Sequence, residues 1–149
     1  MTREDAPPIP PVPMVPVSWG ELLDKITILD LKARLIPDAA ARANVGRELQ
    51  ALRDVAAPVM QVAGLAPLLD GLARVNAALW RIEDDIRVKE AQGSFDDAFV
   101  ALARSVYQTN DERAALKRAI NALLKSGLVE EKHHPASCAE GQVDARGPA

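Results

Sequence analysis

A heptad pattern of apolar residues constrains the fold of this chain more than any other feature. The pattern alternates steps of three and four, at Leu65, Leu68, Leu72, Val75, Leu79, Ile82 and Ile86. This spacing places one apolar stripe along a helix and is typical of helices that pack side by side as in a coiled coil. Gly93 follows as a C-terminal cap, so the pattern predicts a helix over about residues 66–92.

The segment after Gly93 predicts a second long helix that folds back on the first. Ser94 is the expected N-cap, and the helix is predicted over about residues 94–126. Two consecutive seam positions, Thr109 and Arg113, are polar. The helix therefore either breaks near Thr109 or carries a polar layer, and we favour one continuous or kinked helix. Because the turn at Gly93 is tight, the two helices are predicted to form a long antiparallel hairpin.

Two further helices are predicted before the hairpin. Ser18 and Glu21 form a capping box that begins the first helix, over about residues 18–36. Its apolar surface is wide, so we expect it to contact two neighbours. Pro37 ends it, and the second helix is expected over about residues 38–57. The predicted fold class is all-α, a helical bundle built on the long antiparallel hairpin.

Composition divides the chain into a single domain with two flanking segments. Residues 1–17 are rich in proline and predict an extended, disordered arm. Residues 132–149 contain glycine, proline and small polar residues and are also predicted to be disordered. Residues 18–131 are predicted to form one helical domain, which suits a chain of 149 residues.

Charge and cysteine content limit the classes of function that this chain can have. The formal net charge is -3, and no basic stripe occurs, so we expect no nucleic-acid partner. No stretch has the length of a membrane span or the form of a signal peptide. The only cysteine, Cys138, cannot form an internal disulfide. We therefore expect a cytoplasmic protein.

The sequence contains no motif that carries a recognised catalytic chemistry. Glu21 and Asp24 give one E-x-x-D spacing, but the E-x-x-E motif that a two-metal helical pyrophosphatase also needs is absent. The two E-x-x-H spacings within residues 130–134 overlap and cannot form a di-iron cage. There is no glycine-rich phosphate loop and no nucleophile elbow. We expect no metal and no cofactor, and the balance leans against an enzyme.

The hairpin geometry gathers polar residues in one zone. Residues equidistant from Gly93 lie at similar heights, so Asn76 is level with Asn110, and Trp80 is level with Tyr107. Trp80 lies off the seam, and we expect the first helix to cover it. A polar zone in a helical seam either fixes the register of the helices or forms a ligand or partner pocket, and we favour the first reading. The zone contains Asn76, Tyr107, Thr109, Asn110, Asp111 and Arg113.

Four strings of sequence carry a resemblance to a known family. They are VPVSWGELLDKITILDLKARLI at 15–36, ANVGRELQAL at 43–52, LWRIEDDIR at 79–87 and ARSVYQTNDERAALKRAINALLKSGLVEEK at 103–132. The chain resembles a bacterial family of short proteins classed as domain of unknown function 6165. The resemblance spans roughly residues 15–132, with gaps in the middle.

The resemblance implies little chemistry, because the family has no assigned activity. The resemblance also implies an association with glycosyltransferases and surface-polysaccharide genes, and through it an accessory role. The residues that match its motifs include Ser18, Trp19, Glu21, Asp24, Lys25, Trp80, Glu83, Tyr107, Asn110, Asp111, Glu112 and Arg113. Taken with the hairpin geometry, the candidate ligand or partner contacts are Asp24, Lys25, Asn76, Trp80, Tyr107, Asn110, Asp111 and Arg113.

Two hypotheses of function follow. The leading one is a non-enzymatic interaction or accessory protein with a protein partner, linked to surface-polysaccharide or glycosyltransferase pathways. The sustained heptads also indicate a homodimer. The alternative is a small helical enzyme or ligand-binding domain that uses a polar pocket around residues 110–113.

Overall fold

The all-α prediction is confirmed by a computed structural model, which describes residues 6–134. These residues contain four α-helices, one short 3-10 helix and no strand. The α-helices are α1 at Trp19–Leu35, α2 at Ala39–Ala56, α3 at Leu65–Ala91 and α4 at Asp97–Leu123. The 3-10 helix, Ala57–Val59, continues directly from α2.

The hairpin of α3 and α4 forms as predicted, but α4 begins later than expected. Gly93 adopts a left-handed conformation with φ 63°, and the Ser94 N–H donates to the carbonyl oxygen of Lys89 at 2.9 Å. Ser94 therefore closes the end of α3. The prediction that Ser94 caps α4 is wrong. Asp96 is the N-cap instead, because its carboxylate accepts from the Phe99 N–H at 3.0 Å.

Helix α4 runs without interruption from Asp97 to Leu123. The break that the sequence allowed near Thr109 does not occur, so the seam carries a polar layer through the middle of a continuous helix. The chain leaves α4 through Lys125, which adopts a left-handed conformation with φ 51°. The Ser126 N–H donates to the carbonyl oxygen of Asn121 at 2.9 Å and closes this end.

The core lies where α1 crosses the hairpin. Helix α1 packs against α2, α3 and α4, whereas α2 packs on α1 and on the 3-10 helix alone. Burying a large aliphatic side chain contributes about 1.5–3 kcal/mol, so this aliphatic cluster is the main source of stability. It comprises Leu22, Leu23, Ile26, Leu29, Leu49, Ala56, Leu65, Leu72 and Ile120.

The half of the hairpin nearest the turn is packed less completely. Here the seam side chains of both helices are only half-buried and do not belong to the core cluster. Phe95 and Phe99 contact edge to face at 5.1 Å between ring centroids, and Phe95 remains 59% exposed. The half-buried seam residues are Leu79, Ile82, Ile86, Phe99, Leu102 and Val106.

The segments that flank the helices are described only in part. Residues 6–17 form neither helix nor strand, and their side chains are exposed. Residues 1–5 and 135–149, which include Cys138, lie outside the described range. The disordered arm and tail, and the bounds of the domain, therefore stay predictions. Among residues 6–134, no helix combines the length and the apolar character needed to cross a bilayer.

Candidate functional site

A buried ion pair joins α1 to α4 in the middle of the bundle. Asp24 is 1% exposed, and Arg113 Nε donates to its two carboxylate oxygens at 3.0 and 3.1 Å. Arg113 Nη2 also donates to Asp24 Oδ2, which makes the contact bidentate. The hydrogen bond with Asp24 raises the pKa of Arg113 more than burial lowers it. The arginine in the seam of α4 is therefore paired with the helix that crosses the hairpin.

Helix α3 contributes Asn76 to the same layer. Asn76 is 5% exposed, and its Nδ2 donates to Asp24 Oδ1 at 2.9 Å and to Thr27 Oγ1 at 2.8 Å. The Thr27 hydroxyl in turn donates to the carbonyl oxygen of Asp24 at 2.7 Å. Three helices thus share one satisfied polar network. A buried network of this kind is expected to specify how the helices align, which is the structural reading of the predicted polar zone.

A second ion network lies one turn further along α4. Lys117 Nζ donates to Glu21 Oε2 at 2.6 Å and to Glu130 Oε2 at 3.0 Å. Ser18 Oγ donates to Glu130 Oε1 at 3.0 Å and accepts from the Glu21 N–H at 3.1 Å. The serine half of the predicted capping box is thus present, while the carboxylate of Glu21 bonds to Lys117. Glu130 joins this network from the segment that follows α4.

The charges of this second network stabilise one another. Burial alone would lower the pKa of Lys117, but hydrogen bonds to Glu21 and Glu130 outweigh burial and raise it. Burial alone would raise the pKa of Glu130, but hydrogen bonds donated by Lys117 and Ser18 outweigh burial and lower it. Both side chains are therefore charged at neutral pH.

The backbones of α1 and α4 approach closely beside these ion pairs. The Gly20 N–H donates to Asn121 Oδ1 at 2.7 Å, and the Trp19 N–H donates to Ser126 Oγ at 3.2 Å. Asn121 is 4% exposed, and its Nδ2 has no hydrogen-bond partner within residues 6–134. An unpartnered buried donor is unusual in a folded protein.

Two open clefts flank the polar layer. The first, called the tail cleft, lies between α4 and residues 130–134, and has a volume of about 690 Å³. Lys132 donates to the carboxylate of Asp111 across this cleft. Its lining includes Tyr107, Asn110, Asp111, Arg113, Lys117, Arg118, Asn121 and Glu130.

The second cleft, called the hairpin cleft, lies between α1, α3 and α4, and has a volume of about 610 Å³. Trp80 lines it and is half-buried, with Ile28 and Leu31 of α1 on the same cleft. That α1 covers Trp80 stays a prediction. The two clefts share Val106, Asn110 and Arg113, so these residues form the ridge between them.

A family model was found to match most of the chain. It is described as a family of unknown function, DUF6165, and it matches residues 14–143. The chain belongs to the DUF6165 family. No curated protein and no solved structure matched the chain.

For this DUF6165 protein, the structure places the predicted site residues in different surroundings. Asp24, Asn76 and Arg113 bond to one another in the buried layer. The side chain of Asn110 makes no hydrogen bond within residues 6–134, and it lies on the ridge between the clefts. Lys25 lies apart from these clefts and pairs with a carboxylate of α2. Of the rest, Tyr107 and Asp111 line only the tail cleft, and Trp80 lines only the hairpin cleft.

Sequence reasoning missed the second network. Arg113, Lys117 and Asn121 are four residues apart, so they lie in one row on α4. The E-x-x-D spacing of Glu21 and Asp24 places two carboxylates on α1 opposite that row. The spacing of the two carboxylates on α1 matches the spacing of the row on α4, and this match could have indicated the second network. Within the described part of the chain, no group of three or more potential metal ligands comes together.

Proposed function

We propose that this protein is a non-enzymatic accessory protein that works by binding a protein partner on the ridge of α4. The observation that carries the proposal is the ion pair between Arg113 and Asp24. A guanidinium that holds a buried carboxylate at 3.0 and 3.1 Å is committed to the fold and is a poor candidate for binding a substrate. Arg113, the group of the predicted polar zone best suited to bind a ligand, is therefore already occupied.

The groups that remain free on the ridge and directly beside it suit a protein contact. Tyr107 is 40% exposed, and Asn110 has an uncommitted side-chain amide within the described residues. Tyrosine supplies a large contact area with a polar end and is enriched at interface positions that dominate binding energy. The ridge also has an open cleft on either side, into which partner side chains can insert.

A place in surface-polysaccharide assembly is the finer part of the proposal. It rests on what the family resemblance implies, an association with glycosyltransferase and surface-polysaccharide genes. The partner proposed is therefore a protein of that assembly pathway. A cytoplasmic location for the complex belongs to the same proposal.

A quantitative pull-down from the native host tests the proposal. It compares wild type with a Tyr107→Ala, Asn110→Ala double variant, because neither side chain has a bond in the buried layer. The matched control is Gln108→Ala with Glu112→Ala, which changes exposed α4 residues that line neither cleft. We expect a partner that wild type and the control retain and that the ridge variant loses. Equal recovery with all three proteins would contradict the proposal.

A ligand-binding domain is the second candidate, and cleft size favours it. Both clefts lie within the roughly 300–1,000 Å³ that small-molecule sites occupy. A thermal-shift screen of anionic metabolites and nucleotide sugars tests this candidate. A hit that the ridge variant loses while its circular dichroism is unchanged would support it, and the absence of any hit would count against it.

A further inference from the structure

Glu130 is bound like a ligand by two helices, although it lies in a segment without regular structure. Residues 128–134 form neither helix nor strand, and all are exposed. Leu128 and Val129 are 46% and 57% exposed, so apolar burial does not hold this segment in place. Its contacts with the bundle are polar: Glu130 bonds to Ser18 and Lys117, and Lys132 bonds to Asp111. Such contacts exchange readily with those of an external ion.

The groups that bind Glu130 are held by other contacts and would remain in place without it. Ser18 is 3% exposed, and it is fixed by accepting from the Glu21 N–H. The Lys117 side chain is 14% exposed, and its ammonium is also held by Glu21. A hydroxyl and an ammonium fixed in this way are preorganised for an anion, which lowers the entropic cost of binding.

Asn121 provides an independent indication of a binding site. It lines the tail cleft beside Lys117 and is 4% exposed. Its Oδ1 accepts from the Gly20 N–H, which sets the orientation of the amide, and its Nδ2 is left without a partner within residues 6–134. A buried donor without a partner keeps its desolvation penalty, which an acceptor on a ligand would offset.

The basic residues that line the tail cleft come either from α4 or from the segment that follows it. Arg118 belongs to α4, is exposed, and forms no salt bridge within the described residues. Lys132 and His134 belong to the segment that carries Glu130 and would move away with it. Arg113 is neutralised by Asp24. Lys117 stays paired with Glu21, so once Glu130 leaves, Arg118 supplies the positive charge on the α4 wall, and Lys117 offers the N–H donor that had bonded to Glu130.

We propose that Ser18, Lys117, Arg118 and Asn121 form a binding site for the carboxylate or phosphate group of a small anionic ligand. In the absence of that ligand, Glu130 occupies the site. The site uses neither Tyr107 nor Asn110 and so does not depend on the partner surface described above. Because Glu130 is tethered, it competes at a high effective concentration and weakens the apparent affinity for an external anion.

Isothermal titration calorimetry of the full chain tests this site, with inorganic pyrophosphate and tricarballylate as probes at low salt. The variants are Glu130→Gln and, as a matched control, Glu131→Gln, which makes the same charge change one residue away. We expect Glu130→Gln to bind at least one probe about tenfold more tightly than wild type. The substitution weakens the bonds that residue 130 makes in the site, so the probe meets less competition. Glu131→Gln is expected to bind like wild type.

The pattern of probes identifies the ligand class. Binding of pyrophosphate alone by Glu130→Gln supports a phosphate ligand, and binding of tricarballylate alone supports a carboxylate ligand. If Glu130→Gln binds neither probe, or binds no more tightly than Glu131→Gln, the proposal is overturned.

A second measurement locates the bound probe. In the Glu130→Gln background, Lys117→Met is expected to abolish binding, and Lys117→Arg is expected to retain it, with folding checked by circular dichroism. NMR titration of Glu130→Gln itself does not depend on how Lys117 variants fold. We expect the largest shifts at the Asn121 side-chain amide and at the backbone amides of Ser18 and Trp19. Shifts confined to other regions would overturn the proposal.

Discussion

Gly20 of α1 packs directly on the backbone of α4 at Lys117. A Cβ atom added to Gly20 would lie 2.6 Å from the carbonyl oxygen of Lys117 and 2.9 Å from Asn121 Oδ1. Both distances are shorter than any real Cβ contact, and a backbone carbonyl in a helix cannot easily move. The absence of a side chain at Gly20 therefore permits the close approach on which the ion pairs between α1 and α4 depend.

Substitution of Gly20 by alanine is predicted to destabilise the protein. We expect Gly20→Ala to lower the free energy of unfolding by about 1–3 kcal/mol, because the added methyl forces the helices apart. The matched control is Gly46→Ala in α2, where an added Cβ would meet nothing within 4 Å. That change should be neutral or stabilising by up to about 1 kcal/mol, as alanine is the better helix former. Urea denaturation of both variants measures the difference, and equal effects would contradict this account.

The buried pair of Asp24 and Arg113 is predicted to be strongly coupled. Arg113→Met leaves a carboxylate that is 1% exposed without its cation, which should cost about 3–5 kcal/mol of unfolding free energy. Adding Asp24→Leu removes that unpaired charge, so the double variant should be much less destabilised than the sum of the two single variants. A double-mutant cycle by chemical denaturation measures the coupling.

The surface pair of Lys25 and Glu48 is the control for that cycle. Its side chains are 53% and 47% exposed, so Lys25→Met should change the unfolding free energy by no more than about 1 kcal/mol. If Arg113→Met had an effect as small as Lys25→Met, the polar layer would not hold the bundle together as described.

Stability is predicted to fall in acid partly through Glu130. The pKa of Glu130 is lowered in the folded protein, so its contribution is fully present above its ordinary pKa of 4.5 and is lost as the pH falls through the lower folded value. Glu130→Gln should therefore reduce the loss of unfolding free energy below about pH 4.5. Asp96, whose pKa is also lowered, chiefly by its hydrogen bond with Lys89, should leave a residual loss. Identical pH profiles for wild type and Glu130→Gln, from denaturation at a series of pH values, would contradict this role.

The turn end of the hairpin is predicted to form a homodimer contact. Its seam is only half-buried within one chain, and Val88, Phe95 and Val100 are 54%, 59% and 50% exposed. Light scattering should give twice the 16.0 kDa mass of one chain at micromolar concentration. Phe95→Ser with Val100→Asp should shift the mass toward the monomer, because the two substitutions remove apolar side chains from the contact surface. A monomer mass for wild type would rule the dimer out.

The hairpin could be predicted from the sequence because its determinants are local. The heptad spacing from Leu65 to Ile86 and the left-handed turn at Gly93 follow from periodicity and glycine conformation alone. The prediction that Ser94 caps α4 is wrong because serine and aspartate are equally good N-caps. The choice of Asp96 depends on the bond from the Ser94 N–H to Lys89, which uses Ser94 to close α3.

The candidate site could be predicted only in part because it depends on how α1 crosses the hairpin. The heptad spacing places the polar Arg113 in the seam, but no local pattern specifies a carboxylate 89 residues away in the chain. Gly20 looked like an ordinary residue within a capping box, although its importance comes from its contact with α4. Glu130 follows the last helix, where periodicity gives no information about position.

Within residues 6–134, α2 packs on α1 but on neither helix of the hairpin, which has a consequence for how the molecule opens. Only Leu49 and Ala56 of α2 are buried, so detaching this helix exposes little surface and should require less free energy than unfolding the whole chain. The amide protons of α2 should therefore exchange with solvent before those of α3. Such an opening would uncover the outer face of α1 while the hairpin and both ion networks with α4 stay intact, so the protein can present an additional apolar surface without unfolding.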